Sequence, residues 1–575
     1  MYILGINSVY HESSACLLAD GVIVAAAEEE RFNRMKHGKQ ARIDNPDELP
    51  LNAIRYCLDS AGIGLGDVAH IGYSTNPQKM AQGLEIEDEM DENVWSNAAG
   101  KAQFLSGISS IPEKISAMGF HGKWNWIDHH LAHAASAFYV SGFREAAVLS
   151  VDGIGDEIST ATFFYGKNNQ LHFLQEIPMP ASLGFLWELN SLLLGFSVYD
   201  AAKIMGLAAY GNPERYANEF KQLVRLVSDG KFEMDNDLLR FGVLNYEPLS
   251  AYYAGLEALF GIKKRERDQK LEAVHQDIAA ALQQRTDEAV YHMVEHLHDI
   301  THSDNLCLAG GVALNCVTNR VVFEEGPFAN LYVQAGAHDG GTALGAAFYV
   351  WNHILENESR QVMGNAYLGP SFSNSEIETT LQKHQLKYRR SEKIEQEVAQ
   401  LLSQQAIVGF FQGGMEFGPR ALGNRSLLAD PRNPQTREIM NHKVKHREYF
   451  RPFAPSILHE EAKKWFEIKK ETSASDFMLM AYAAVDSVKD KIPAVLHVDG
   501  TSRLQTVKKE ENPRYYNVIA EFYQITGVPI VLNTSFNDQE PIVCTPTDAI
   551  KTFMKTQIDY LAIGDFLVSK AENRR

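Results

Sequence analysis

The stretch "EAAVLSVDGIGDEISTATFFYG", residues 145–166, gives the first indication of how this chain folds. It begins with an apolar run typical of a buried strand, turns at Asp152 and Gly153, and returns in a run rich in β-branched and aromatic residues. Residues 1–30 follow the same plan, because "YILGI", "SACLLAD" and "GVIVAAAEEE" are three strand patterns separated by turns. Two copies of one β-turn-β plan predict a duplicated α/β unit.

A third segment, "NLCLAGGVALNCVTNR" at residues 305–320, predicts a short strand, a turn at Gly310 and Gly311, and a helix with Asn315 near its start. Unpaired backbone N–H groups at such a helix start bind phosphate well. Glycines at a strand-to-helix turn also serve close packing alone. The sequence leaves both interpretations open.

With 575 residues, the chain is too long for a single hydrophobic core, so we expect more than one domain. The segment "FYVWNHILENESRQVMGNAYLGPSFS" ends a helix and opens a new region, which places a boundary near residues 355–370. We therefore predict domains at residues 1–360 and 361–575. Beyond the boundary, arginines and lysines are crowded among glycines and prolines.

The composition excludes several classes of protein. The net charge of −19 disfavours binding to nucleic acid over a large area, although a local basic pocket can still hold a small anion. No run of 18 uninterrupted apolar residues occurs, so we expect no membrane span. The 5 cysteines are scattered without a C-x-x-C pair, which favours reduced thiols in the cytoplasm and excludes a zinc knuckle.

Histidines cluster in "HHLAHAASAF", residues 129–138, whose alanines favour a helix. On a helix, His129 and His133 lie one turn apart on one face, which is a common arrangement for chelating a divalent metal. A metalloprotease would need H-E-x-x-H, but His130 occupies the position of the glutamate. Histidines that only form hydrogen bonds near a surface remain the alternative.

Two carboxylates could complete a metal site. Asp152 ends a buried strand pattern before a glycine, and Asp339 precedes two glycines in "YVQAGAHDGGTALGAA". Active sites of α/β folds gather at such strand ends. Two histidines and two aspartates suit Fe²⁺, Mn²⁺ or Zn²⁺.

The motifs "HHLAHAASAF", "SVDGIGDE", "KIMGLAAYGNP", "LAGGVALN" and "AHDGGTALGAA", in this order, resemble the O-carbamoyltransferase family of antibiotic and nodulation-factor biosynthesis. The second half matches through "GGMEFGPRALGNRSLLADPR", "REYFRPFAPSI", "VDGTSRLQTV" and "VLNTSFN". The resemblance spans nearly the whole chain. It implies an α/β fold, with an N-terminal duplicated ASKHA-type domain, similar to the tRNA threonylcarbamoyl transferases, followed by a C-terminal YrdC-like domain.

The resemblance also assigns residues of the first domain. It implies Fe²⁺ held by His129, His133, Asp152 and Asp339. It implies catalytic roles for His11, Lys36 and His130, with His11 as the general base, since imidazole titrates near working pH. The nucleotide-binding residues of this domain would be Lys203, Gly310, Gly311 and Asn315. Many relatives carry Gly where Ala202 stands, a departure that concerns packing.

The cations of the second domain suit phosphate groups, because Arg binds phosphate oxygens in pairs and Lys supplies a mobile charge. Asn and Ser add uncharged hydrogen bonds. The residues expected to bind carbamoyl phosphate and the adenylate are Arg420, Lys445, Arg447, Arg451, Arg503, Asn533 and Ser535. A solvated basic face is the alternative, although Phe and Pro interleave with these cations.

The implied reaction has two steps. Carbamoyl phosphate and ATP with Mg²⁺ give carbamoyl-adenylate and pyrophosphate, and the carbamoyl group then passes to a hydroxyl of a small-molecule acceptor, a natural product or a sugar of secondary metabolism. A tRNA-modifying relative is disfavoured by the charge, and a hydrogenase-maturation relative by the missing zinc-finger cysteines. A sugar kinase and a non-catalytic binding protein are competing interpretations from different functional classes. We expect no nucleic-acid or membrane partner, and the oligomeric state, with a homodimer as one option, stays open.

Overall fold

The computed structural model describes residues 1–83, 98–156, 158–239 and 250–573. The chain packs as two units. Unit 1 consists of Met1–Glu29 and His37–Met363, and unit 2 consists of Glu30–Lys36 and Gly364–Arg575. The boundary expected at 360/361 is close to this break, but no sequence pattern indicated that Glu30–Lys36 packs with the second half of the chain.

The elements up to residue 363 are a mixture of strands and helices. The strands are β1 (Tyr2–Asn7), β2 (Ser14–Ala19), β3 (Val22–Glu28), β4 (Val68–Tyr73), β5 (Lys123–Trp126), β6 (Glu145–Val151), β7 (Ser159–Lys167), β8 (Gln170–Pro178), β9 (Val224–Leu226), β10 (Phe232–Met234), β11 (Asn305–Ala309) and β12 (Asn330–Val333). The helices are α1 (Glu30–Asn33), α2 (Leu51–Ala61), α3 (Pro77–Gly83), α4 (Ala98–Ser109), α5 (Ile111–Ala117), α6 (His129–Phe138), α7 (Leu183–Leu193), α8 (Ala201–Ala208), α9 (Ala217–Leu223), α10 (Asn236–Leu239), α11 (Ser250–Phe260), α12 (Ala273–Thr301), α13 (Cys316–Glu324) and α14 (Thr342–Phe348).

Two five-stranded sheets of unit 1 repeat one topology, in the orders β3-β2-β1-β4-β5 and β8-β7-β6-β11-β12. In each, the central strand pairs antiparallel with the next strand in sequence and parallel with a later one. The runs of β1 and β6 are buried almost throughout, as their apolar sequences indicate. The predicted duplication of an α/β unit is confirmed.

Helices α6 and α14 pack against each other, α6 also against the sheet of β6 and α14 against the sheet of β1. Their backbones approach unusually closely at Gly345, where a Cβ atom would lie 1.8 Å from the carbonyl oxygen of Ala132. Gly5 on β1 makes a similar contact, since a Cβ there would lie 1.8 Å from the carbonyl oxygen of Ala343. Glycine is required at both positions because any side chain would separate the backbones.

Unit 2 contains one mixed sheet with the strand order β13-β21-β20-β14-β15-β19-β16-β18-β17. Its strands are β13 (Arg389–Arg390), β14 (Val408–Phe411), β15 (Arg425–Ala429), β16 (Ala454–Leu458), β17 (Met480–Ala483), β18 (Thr501–Val507), β19 (Ile530–Ser535), β20 (Tyr560–Ile563) and β21 (Phe566–Ser569). Its helices beyond α1 are α15 (Asn374–Lys383), α16 (Ile394–Ser403), α17 (Gln435–Ile439), α18 (Ala462–Trp465), α19 (Pro513–Thr526), α20 (Pro546–Lys555) and α21 (Lys570–Asn573).

Within the described ranges, no single helix combines the length and apolar composition that crossing a membrane requires. One pair, Leu183–Leu193 with Val198–Ala208, meets both criteria only when joined across a bend of 104°.

The contact at Gly345 predicts that Gly345→Ala destabilises the protein by about 1–3 kcal/mol, because the added methyl group must push α6 and α14 apart. Urea unfolding measures this change. Gly64→Ala is the matched control, since a Cβ at Gly64 meets only a side-chain oxygen of Asp67 at 3.9 Å. Equal stability of the two variants would contradict the close packing of the helices.

Candidate functional site

Two imidazoles and two carboxylates come together in unit 1. The Nε2 atoms of His129 and His133 lie 3.4 and 3.1 Å from Oδ2 of Asp152. Both also lie 3.5 Å from Oδ1 of Asp339. One ligand atom from each of these residues lies within 4.8 Å of the others. The structure therefore brings together all the residues that the sequence nominated as metal ligands.

Helix α6 presents both histidines from consecutive turns of one face. Its first N–H group, from His129, donates to Oδ2 of the buried Asp156 at 2.9 Å, which fixes the start of the helix. The Nδ1 atom of His129 donates to the carbonyl oxygen of Ser74 at 3.2 Å. This hydrogen bond directs Nε2 at the carboxylates, and it fixes the tautomer of the neutral ring whose Nε2 lone pair could bind a metal.

Asp152 is held at the end of β6 by a second contact. Its Oδ1 atom accepts a hydrogen bond from the backbone N–H of Gly311 at 3.1 Å, while Oδ2 faces the histidines. Gly310 has a φ of 89°, and a Cβ there would lie 2.2 Å from the carbonyl oxygen of Val151. Of the two interpretations of this turn, close packing therefore accounts for Gly310, and one N–H of the turn binds a carboxylate.

The charges of the cluster balance one another. Burial raises the pKa of Asp152 and Asp339, but the hydrogen bonds and positive charges of the histidines outweigh it, so both pKa values lie below the ordinary range. Burial lowers the pKa of His129 and His133, but the carboxylates raise both above the ordinary value. Two adjacent buried carboxylates thus require positive charge beside them.

The donor set fits a divalent metal. Separations of 3.1–3.5 Å between the imidazole nitrogens and the carboxylate oxygens match those of neighbouring ligands around an ion bound at about 2.0–2.2 Å. Two nitrogen and two oxygen ligands suit Fe²⁺, Mn²⁺ or Zn²⁺, and nothing in the arrangement selects one of these ions.

The other two histidines nominated as catalytic have different surroundings. His130 is buried, and its Nδ1 forms a 2.7 Å hydrogen bond with Oγ1 of Thr162, away from the four-residue cluster. Burial and the charge of His129 lower the pKa of His130 to about 3, so its ring is neutral. The ring of His11 lies edge-on to Tyr199 at 5.7 Å.

The remaining nominated residues of the first half are spread out. Lys36 is exposed and belongs to unit 2. Lys203 on α8 forms an ion pair with Asp200 at 3.1 Å. The side chain of Asn315 caps α13 and bonds to Gln283, so its amide serves the structure of the turn. The nucleotide-binding assignment of Lys203, Gly310, Gly311 and Asn315 stays a prediction.

A second polar group beside His11 was not foreseen from the sequence. The carboxylate of Glu12 lies 2.5 Å from Nδ1 of His37, and the ring of His37 stacks on Tyr199 at 4.4 Å. Burial alone would raise the pKa of Glu12, but the charge of His338 and the hydrogen bond from His37 lower it to about 2. This carboxylate is therefore ionised.

Glu188 on α7 was missed as well. Burial and the negative charges of Asp152 and Asp339 raise its pKa to about 8, which favours the protonated form of its carboxyl. Asp156 was missed although it lies in the stretch "VDGIGDE", because its hydrogen bond to the start of α6 depends on tertiary packing.

In unit 2, Lys445 ends a π-helical turn at Met440–Lys445, and Arg447 and Arg451 follow it closely in the sequence. Lys445 is 3% exposed, and its Nζ atom lies 2.5 Å from the carbonyl oxygen of Ser535 and 2.7 Å from Oδ1 of Asn537. Burial lowers the pKa of Lys445 well below its ordinary value, and the charges of Arg447 and Arg451 lower it further. Asn537 was not foreseen, although it ends the motif "VLNTSFN".

Arg447 stacks on Phe453, with its guanidinium carbon 4.3 Å from the ring centroid, and its Nε donates to Asn441 at 2.8 Å. Burial lowers the pKa of Arg447, and the charges of Arg451 and Arg503 lower it further. The burial of Lys445 and the stacking of Arg447 on Phe453 disfavour the alternative of a solvated basic face.

Asn533 on β19 contacts the loop that carries Arg420. Its Nδ2 atom lies 3.1 Å from the carbonyl oxygen of Ala421 and 2.9 Å from Oε1 of Gln505. Its Oδ1 atom is buried and has no hydrogen-bond partner among the residues that the structure describes. The side chain thus has a hydrogen-bond acceptor to offer and no remaining donor.

The sequence matches two models of known protein families. These are the Carbamoyltransferase N-terminus over residues 2–348 and the Carbamoyltransferase C-terminus over residues 399–570. The chain belongs to the carbamoyltransferase family. This membership confirms the predicted enzyme class, and the sheets and helices of both units confirm the predicted α/β fold class. The finer assignment, an ASKHA-type domain followed by a YrdC-like domain, stays a prediction.

Among curated proteins, this carbamoyltransferase is 35% identical to the nodulation protein NolNO of Sinorhizobium fredii over 98% of the chain and 80% of the relative. It is 38% identical to the nodulation protein NolO of Bradyrhizobium diazoefficiens over 77% of the chain and 79% of the relative. An uncharacterized protein of Synechocystis sp. is 38% identical over 99% of the chain and 97% of that protein.

Solved structures resemble the carbamoyltransferase only distantly. Component A of (R)-2-hydroxyglutaryl-CoA dehydratase from Acidaminococcus fermentans matches 61% of the chain and 98% of that structure, with a TM-score of 0.35 and 16% identity. HypF of T. kodakarensis matches 62% of the chain and 48% of that structure, with a TM-score of 0.33 and 14% identity.

The donor cluster predicts that His129→Ala and His133→Ala each weaken divalent-metal binding on the order of 100-fold or more, because each removes one of four ligands. Metal content after dialysis against a weak chelator, measured by mass spectrometry, reports the change. The matched control is His130→Asn, because His130 bonds to Thr162 and its replacement should leave the metal in place. Equal metal loss in the control would contradict the assigned ligand set.

Proposed function

We propose that this carbamoyltransferase is ATP-dependent and moves the carbamoyl group of carbamoyl phosphate to a hydroxyl of a small molecule through a carbamoyl-adenylate. The observation that carries the proposal is the cluster of Lys445, Arg447, Arg451 and Arg503 in unit 2. Cations that lower one another's pKa are held together at a cost, which bound anions remove. Carbamoyl phosphate and the triphosphate of ATP supply several negative charges at once.

The proposed donor half-reaction consumes carbamoyl phosphate and ATP and releases phosphate and pyrophosphate. Carbamoyl phosphate loses its phosphate by hydrolysis, and the resulting carbamate oxygen attacks the α-phosphorus of ATP. The bond from the α-phosphorus to the bridging oxygen of the β-phosphate breaks, and pyrophosphate leaves. In this proposal, Lys445 and the arginines of the cluster neutralise the charge on the phosphates, with Arg420 and Ser535 as further contacts.

Recognition of the carbamoyl group needs a hydrogen-bond acceptor for its –NH₂. The unpartnered Oδ1 atom of Asn533, which is buried among the described residues of unit 2, supports this role. An acetyl group lacks the N–H donors and would leave that oxygen unsatisfied at a cost of about 1–3 kcal/mol. Acetyl phosphate is therefore expected to replace carbamoyl phosphate poorly.

The transfer half-reaction is assigned to unit 1. The acceptor oxygen attacks the carbamoyl carbon, the bond from that carbon to the adenylate oxygen breaks, and AMP leaves. His11 takes the proton of the acceptor hydroxyl. A divalent metal held by His129, His133, Asp152 and Asp339 would polarise the carbamoyl carbonyl. Family membership supports the chemistry of transfer, and the four-residue cluster supports the metal.

The acceptor is proposed to be a natural product or sugar with free hydroxyl groups. Two relatives over most of the chain are named nodulation proteins, which supports a role outside central metabolism. The ionised Glu12 and the protonated carboxyl of Glu188 offer a hydrogen-bond acceptor and a donor close to His11 and Asp339, which suits a polyhydroxylated ligand.

The products distinguish this reaction from that of a sugar kinase. With carbamoyl phosphate, ATP and Mg²⁺, ³¹P NMR is expected to detect pyrophosphate and phosphate, and AMP once an acceptor is added. Formation of ADP in place of AMP would reject the adenylate. A library of hydroxylated compounds, screened for a mass gain of one carbamoyl group, identifies the acceptor.

The cation cluster predicts that Arg451→Ala and Arg503→Ala reduce pyrophosphate release about 10- to 100-fold, the equivalent of losing one charge-assisted hydrogen bond of roughly 1.5–3 kcal/mol. Coupled detection of pyrophosphate measures the rate. Arg390→Ala is the control, because Arg390 is 67% exposed and its ion pair with Asp565 spans 3.7 Å. His129→Ala should still release pyrophosphate. Unchanged rates in both cluster variants would exclude these arginines from the donor site.

A further inference from the structure

A short segment from the first tenth of the sequence, Glu30–Lys36, packs as part of unit 2. Arg31, at its start, is 3% exposed. Its Nη1 atom lies 2.7 Å from the carboxylate of Glu30, and its Nη2 atom donates to the carbonyl oxygen of Gly418 at 2.7 Å. A buried guanidinium that bonds to a main-chain carbonyl fixes the backbone at that residue.

The rest of the segment reinforces this contact. Phe32 packs against a buried cluster of Met415, Ala421, Ile542 and Cys544. Arg34 donates from Nη1 to the carbonyl oxygen of Ile542 at 2.7 Å. The segment therefore contacts both the loop of residues 413–425 and the chain near residue 542.

Within the loop of residues 413–425, Glu416 holds the backbone in place. The Oε1 atom of this buried carboxylate accepts hydrogen bonds from the backbone N–H groups of Leu422, Asn424 and Arg425 at 2.7, 2.8 and 3.2 Å. Three amides on one oxygen draw the loop into a compact turn. Arg420, which is expected to bind the donor, lies between Gly418 and this turn in the sequence.

Gly418 itself has a φ of 105°, a conformation that other residues rarely adopt. This conformation of Gly418 determines where its carbonyl oxygen points. Arg31 donates a hydrogen bond to that oxygen. Arg420 follows after Pro419, so a rotation of the Gly418 peptide would redirect the guanidinium of Arg420.

We propose that Arg31 is a positioning residue of the donor site, which orients Arg420 through the carbonyl of Gly418. The segment Glu30–Lys36 is then a structural part of the site that binds carbamoyl phosphate, although it lies far away in sequence. The kinetic effect of Arg31 rests on the proposed function, because it assumes that Arg420 contacts the donor. The ordering of the loop at residues 413–425 by Arg31 does not depend on that function.

Arg31→Met tests the proposal. The methionine keeps the aliphatic packing and removes the hydrogen bonds of the guanidinium, so we expect the KM for carbamoyl phosphate in pyrophosphate release to rise about tenfold or more. The KM for ATP should change much less, and the unfolding temperature should stay close to that of the wild type. Arg31→Lys, which keeps the charge but reaches fewer acceptors, should recover part of the loss.

A second measurement does not depend on catalysis. Hydrogen–deuterium exchange of the peptides covering residues 413–425 is expected to accelerate in Arg31→Met. Arg42→Met is the matched control, because the side chain of Arg42 is 62% exposed and its guanidinium forms an ion pair with the exposed Asp44 at 2.8 Å in unit 1. Its exchange pattern and kinetics should equal those of the wild type.

The two measurements separate the possible failures. A wild-type protein that releases no pyrophosphate contradicts the proposed function, while exchange of the loop still decides whether Arg31 orders it. Unchanged exchange in Arg31→Met rejects the positioning role. Faster exchange with equal rises in both KM values and a lowered unfolding temperature also rejects it, because such a variant is merely less stable. Should Arg31→Met fail to fold, Arg31→Lys supplies the same comparison.

Discussion

Unit 1 is organised around the confinement of two carboxylates, Asp152 and Asp339, in its interior. Burial and mutual repulsion both disfavour their ionised forms, yet their pKa values are lowered, because His129 and His133 are held against them. The two repeated sheets position the elements that carry these four residues. β6 ends at the first carboxylate, α14 begins just after the second, and α6, packed against α14, carries the histidines. Elements from both copies of the duplicated topology therefore bring the four residues together.

Unit 2 has the opposite electrostatic requirement. There, positive side chains are crowded and partly buried, and the pKa values of Lys445 and Arg447 fall as a result. These cations stand out in a chain whose net charge is −19. The sequence hinted at this through arginines interleaved with Phe and Pro. The stacking of Arg447 on Phe453 gives the physical reason for that pattern.

The features that could be predicted from sequence were those encoded locally. Strand patterns, the i, i+4 spacing of His129 and His133, and aspartates at strand ends are visible in short windows, and the structure brings these residues together. The sequence did not predict the roles of Asp156, Glu188 and the segment Glu30–Lys36. Their partners are distant in sequence, and no periodic pattern marks them. Motif matching also cannot tell a side chain that binds ligand from one that caps a helix, as Asn315 does.

The absence of a side chain at Gly345 has an evolutionary consequence. Because the backbones of α6 and α14 touch there, any side chain at position 345 would displace the helix that carries His129 and His133. We therefore expect variation at position 345 to be confined to glycine, even though this residue belongs to neither pair of histidines and aspartates.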